Sequence, residues 1–139
     1  MNQQERITAM AEIMIKARQA NEDMGELIAE ALHKAAEKLG GADKLVVGRP
    51  GSWEADIVVR MADAGGYGNY GTKERVEPLT ELFVEMGKAK EDGGDVLSQA
   101  MGEAVNTIGG VIEFAGHSQW YLDLINIGCQ YSRYGYPSE

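Results

Sequence analysis

Residues 3–41 read QQERITAMAEIMIKARQANEDMGELIAEALHKAAEKLGG, and the spacing of their apolar side chains decides the fold class. Ile7, Met10, Met14 and Ala17, then Met24, Ile28, Ala31 and Ala35, recur at helical intervals, with Leu27, Leu32 and Leu39 widening the stripe. Side chains three or four apart share one face of an α-helix, so the pattern predicts amphipathic helix. Gly40-Gly41 marks the stop: glycine takes the left-handed backbone that closes a helix, and Lys34 and Lys38 sit where the negative end of the helix dipole favours cations. Asn21-Glu22-Asp23 marks an interruption, with Asn21 as cap of a second helix whose first turn holds two acids. Periodicity alone leaves open whether residues 3–39 form one helix or two.

As one helix, Ile7, Met14, Asn21, Ile28 and Ala35 fall seven apart, as do Met10, Ala17, Met24 and Ala31. Such a seam resembles a coiled coil, in which a central Asn sets register between helices. It predicts a homodimer or larger oligomer with Met10, Met14, Asn21, Met24 and Ile28 at the contact. The seam fails at Lys38 and is rich in Ala and Met rather than Leu, so it also reads as an ordinary core-facing stripe.

Farther along, Leu45-Val46-Val47-Gly48 is a short extended piece and Arg49-Pro50-Gly51-Ser52 a turn. Ser52 caps a helix carrying Trp53, Glu54, Ile57 and Met61 on one face and ending at Gly65, although the β-branched run Ile57-Val58-Val59 also suits a strand. The stretch from Gly65 to Gly71 is too rich in glycine for an element interior and is a loop. Pro78 opens the next helix, with Leu79, Leu82, Phe83 and Met86 inward, and Lys90-Glu91-Asp92-Gly93-Gly94 ends it. Another begins near Asp95, with Val96, Ala100, Met101, Ala104, Val105 and Ile108 inward and Gly102 and Gly109-Gly110 weakening it. Val111 to Phe114 continue that helix or form a short strand, and Ser118 caps a final helix with Trp120, Leu124, Ile127 and Tyr131. The expectation is a mostly α, compact single domain over residues 1–139: four to five helices, Gly-rich connecting loops, and at most a minor short strand.

Thirteen Lys and Arg against 22 Asp and Glu give a net charge of −9. From Glu91 onward seven acids face one base, Arg133. Binding to a nucleic-acid backbone draws on basic side chains, so this balance disfavours it and suits a partner with a basic surface, or simply a solvated acidic exterior. Cys129 is the one cysteine, which excludes an intramolecular disulfide and fits a reducing cytoplasm. No run of 18 apolar residues and no apolar leader core occurs, so neither membrane insertion nor secretion by a signal peptide is expected.

Gly66-Tyr67-Gly68-Asn69-Tyr70-Gly71 spells GxGxxG and is followed by Thr72-Lys73. In a phosphate loop the glycine N–H groups close around oxygens at a helix start. Here no βαβ alternation surrounds it, and Thr-Lys reverses the order of the P-loop motif. Gly66, Gly68, Gly71, Thr72 and Lys73 are therefore the second reading, a small-molecule or nucleotide site over residues 65–73. The first reading rests on the aromatic rings: Tyr67, Asn69 and Tyr70, with Tyr134 and Tyr136 near the C-terminus, offer the flat amphipathic surface enriched at recognition sites. His33 is a helix boundary residue. His117 with Glu113, Asp123 and Cys129 lacks any short paired ligand spacing, so no metal or cofactor is expected. Glu77, Glu81 and Glu85, one turn apart, form a solvated acidic face, and no Ser-His-Asp arrangement points to catalysis. Sequence alone thus favours a non-enzymatic interaction domain, an inhibitor or accessory protein acting on a protein partner and self-associating.

Overall fold

A computed structural model of the chain describes residues 1–47, 53–64, 73–110 and 113–114. Among them are five α-helices and no sheet: α1 (Gln3–Gln19), α2 (Met24–Leu39), α3 (Trp53–Ala64), α4 (Lys73–Lys88) and α5 (Gly93–Ile108), with a 3-10 turn at Ala42–Leu45. The fold is the compact helical domain that the periodicity predicts.

Residues 3–39 form two helices. α1 opens on a capping box: the Asn2 side chain accepts from the Glu5 N–H at 2.8 Å, and Glu5 Oε1 accepts from the Asn2 N–H at 2.8 Å. It stops at Ala20, and Asn21 adopts a left-handed φ of 62° that reverses the chain. The cap of α2 is Asp23, whose side chain accepts from the Glu26 N–H, so the capping role falls two residues after Asn21. Gly40, at φ 99°, closes α2 as glycine chemistry predicts.

Pairs of side chains give the helix directions. Arg6 near the start of α1 meets Glu85 and Glu91 at and beyond the end of α4, whereas the α1–α2 turn meets Arg75 in the first turns of α4. α1 and α4 are therefore antiparallel. Lys34–Glu77 (3.6 Å) and Lys38–Glu81 (2.8 Å) step in the same order along α2 and α4, which are parallel. Gln4 donates to Glu103, and Arg18 to the Glu113 carbonyl, so α1 and α5 also run the same way. α2 packs on α3 and α4, α1 on α4 and α5, and α3 on α5. Their inner faces share one hydrophobic core that includes Ile7, Met10, Met14, Leu27, Ile28, Phe83, Leu97, Met101 and Phe114.

Several boundaries differ from the sequence reading. α4 starts at Lys73, five residues before Pro78, which lies inside the helix. Pro removes one intrahelical N–H, and the packed inner face (Val76, Leu79, Leu82, Phe83, Met86) outweighs that loss. Gly93 and Gly94 begin α5 rather than ending α4, because Asp92 caps the helix by accepting from the Gly94 and Asp95 N–H groups. Val46 makes one isolated antiparallel bridge with Asp92 and forms no strand. Ile57-Val58-Val59 is helical in α3. The proposed final helix after Ser118 lies outside the described residues.

Candidate functional site

Two charged groups mark the two ends of the bundle. At the end where α1 begins, Arg6 is 6% exposed and its Nε donates to Glu91 Oε1 at 3.0 Å, Nη2 to Glu91 Oε2, and Nη1 to the Met1 carbonyl at 2.7 Å. Hydrogen bonding to Glu91 raises the Arg6 pKa against the opposing effect of burial. This side chain fastens the N-terminus to the α4–α5 turn. The 3-10 turn docks beside it, where Gly93 carries no side chain and so admits the Leu45 carbonyl.

At the other end the α1–α2 turn is the hub. Arg75 Nη1 donates to Glu22 Oε2 at 2.6 Å. Arg18 Nη1 donates to the Glu22 carbonyl at 2.7 Å, while its Nε reaches the Glu113 carbonyl at 2.8 Å. The Glu22 N–H is itself taken by the Ala17 carbonyl at 2.9 Å. Glu22 is only 9% exposed, and its Oε1 is buried with no hydrogen-bond partner among the described residues. Burial pushes the Glu22 carboxyl above the ordinary glutamate range; the Arg75 charge opposes this and the Glu74 carboxylate reinforces it.

The consequence is one of attachment. Arg75 stands three residues past residue 72, and Glu113-Phe114 stands directly before residue 115. The first turn of α4 and Glu113-Phe114 therefore stand at the end organised by Ala20 to Asp23, and in the sequence Tyr67 and Tyr70 precede the one while Tyr134 and Tyr136 follow the other.

Tyr67, Asn69, Tyr70, Tyr134 and Tyr136 themselves lie outside the described residues, as do Gly66, Gly68, Gly71, Thr72, His117 and Cys129. Lys73 is the first residue of α4. The seam residues are brought together, but inward: Met10, Met14, Met24 and Ile28 are each 0% exposed within the single chain, and Asn21 stands apart on the surface of the turn. The turn at Asn21 breaks the seven-residue repeat, so the two halves of the stripe face the one core of the chain. His33 Nδ1 donates to the Ala62 carbonyl at 2.9 Å, with Nε2 3.7 Å from Glu37. Glu77, Glu81 and Glu85 each face a base across helices, namely Lys34, Lys38 and Arg6. Among the described residues no group of three or more His, Cys, Asp or Glu is placed to hold a metal ion, and no helix is long and apolar enough to cross a membrane.

Arg18, Glu22 and Arg75 are the residues that the sequence reading passed over as site candidates. Their only signal is opposite charge near helix breaks, a pattern that solvated surfaces produce as readily. Comparison of the chain with protein-family models, curated proteins and solved structures returns no match.

Proposed function

We propose that the chain is a non-enzymatic interaction domain that binds a protein partner through Tyr67, Asn69 and Tyr70 together with Tyr134 and Tyr136. One observation supports this reading: the hub at Glu22 brings together Arg75 and the Glu113 carbonyl, from the described segments that follow Tyr67 and Tyr70 and precede Tyr134 and Tyr136 in the sequence. Two aromatic segments rooted side by side can address one surface together, and shared anchoring lowers the entropy lost when they do so. The net charge of −9 favours a partner with a basic face and speeds encounter with it. In this reading the protein acts by occupancy, as an inhibitor or accessory subunit.

The decisive experiment captures partners with the full chain and repeats the capture with Tyr67→Ala, Tyr70→Ala and Tyr134→Ala. Loss of about 1 kcal/mol or more per ring, with helix content unchanged by circular dichroism, supports the interface. Unchanged affinity in all three removes these rings from it.

A nucleotide site over Gly66, Gly68, Gly71, Thr72 and Lys73 is the second reading. It gains support from α4 beginning at Lys73, since the glycine stretch then leads straight into a helix start. It is weakened by Glu74 and Glu22 nearby and by the commitment of Arg75 to Glu22. Calorimetry with nucleotides, repeated on Lys73→Ala, separates the two: micromolar binding abolished by that change would replace the protein-partner reading.

A further inference from the structure

The hub at the α1–α2 turn is chemically lopsided. A carboxylate accepts about four hydrogen bonds. Glu22, nine-tenths buried, has one oxygen on Arg75 and the other buried without a partner among the described residues. It exchanges nearly all its hydration for a single charge-assisted contact, a poor compensation for a buried ion. Arg75 is not held so tightly: a quarter of its side chain is exposed, so a rotamer change gives its guanidinium to water.

We propose that Glu22 and Arg75 form a proton-operated clasp: ionised Glu22 fastens the α1–α2 turn to the start of α4, and protonated Glu22 releases Arg75 to solvent while the helices stay packed.

The surrounding charges define how far the release extends. From α4, Arg75 favours the ionised carboxyl and Glu74 disfavours it. From α1, Arg18 holds the Glu22 carbonyl, not its carboxyl, and its second contact is the Glu113 carbonyl. That attachment involves no carboxyl group, so protonation of Glu22 leaves its donor and acceptors unchanged. In the first turn of α2, Asp23 caps the Glu26 N–H and keeps the turn in place. The clasp therefore opens on its α4 side only.

The sign of the linkage distinguishes this from acid denaturation. A carboxyl raised in the folded state binds its proton more tightly there than in the unfolded chain. Its contribution to stability is full below the ordinary glutamate range and is lost as pH rises through the folded value. Protonation of this one group therefore opens the clasp at no cost to folding stability.

The test is an NMR titration of the full chain that follows the Glu22 carboxyl carbon and the Arg75 and Arg18 Nε–H signals. The expected result is a Glu22 midpoint above the ordinary glutamate range, an Arg75 shift with the same midpoint, and no such shift at Arg18. In Glu22→Gln the Arg75 signal stays at its acid position at every pH, and the fall of thermal midpoint with rising pH flattens. A Glu22 midpoint at or below the ordinary range, or an Arg75 signal that moves independently of Glu22, overturns the clasp; the wild-type titration decides this even if the variant fails to fold. Release would also free Arg75, in the first turn of α4, for a partner. That consequence rests on the partner-binding reading, and partner capture at both pH extremes tests it separately, leaving the titration result intact.

Discussion

Asn21 and Lys90 both hold a left-handed backbone, at φ 62° and 59°. Asn tolerates this region because its short amide bonds locally, whereas Lys gains nothing from it. Lys90→Gly removes roughly 1–2 kcal/mol of left-handed strain and adds roughly 0.5–1 kcal/mol of unfolded-state freedom. We expect a net gain of about 0.5–1 kcal/mol, read as a higher urea midpoint at unchanged slope. The opposite sign is expected at Arg6. Arg6→Ala leaves Glu91, whose side chain is 13% exposed, without its guanidinium partner, and breaking such a pair costs about 3 kcal/mol. Arg6→Met should recover part of that loss by restoring the packed stem, a comparison that separates charge from contact.

At the scale of elements, helix ends and helix docking obey different rules. Gly93 sits in the first turn of α5, where alanine has the better helix propensity, so local preference favours Gly93→Ala. Docking argues the other way: a methyl there would run into the Leu45 carbonyl and lie 2.9 Å from Met86 Cε. Backbone yields less readily than a flexible side chain, so the variant should lose about 1–3 kcal/mol, measured by denaturant unfolding. A stabilised Gly93→Ala would mean that the 3-10 turn does not pack on α5. The Lys34–Glu77 and Lys38–Glu81 pairs between α2 and α4 are solvent-exposed and screened by salt, so they align the helices rather than hold them together.

For the molecule as a whole, the fate of the methionine stripe is the main question of assembly. Met10, Met14, Met24 and Ile28 are spent within one chain, and the only large hydrophobic residues exposed among the described ones are Met1 and Val47. Truncating Met14 to alanine should therefore remove about 2–5 kcal/mol of core stability. Its unfolding midpoint should not depend on protein concentration. A midpoint that rises with concentration in the wild type and loses that dependence in Met14→Ala would instead place this side chain between subunits.

The sequence by itself determined the helical class and most of the inner faces, because a 3.6-residue period is a local property that each segment carries alone. Ile7 to Ala17, Met24 to Ala35, Leu79 to Met86 and Val96 to Val105 all turn inward as their spacing predicts. Gly40 likewise closes α2 through its own backbone freedom, whereas Gly109, read in the sequence only as weakening its helix, in fact ends α5. What periodicity did not carry was direction in space. A seven-residue repeat is the same whether its face meets another copy or its own chain, and only the reversal at Asn21 folded the seam inward. The Glu22 hub was hidden for the same reason: Arg75 and Glu113 lie far along the chain from Arg18 and Glu22 and meet them only because α1 and α4 run antiparallel while α1 and α5 run parallel. Burial of a charge is set by what packs over it, and that is decided by tertiary structure alone.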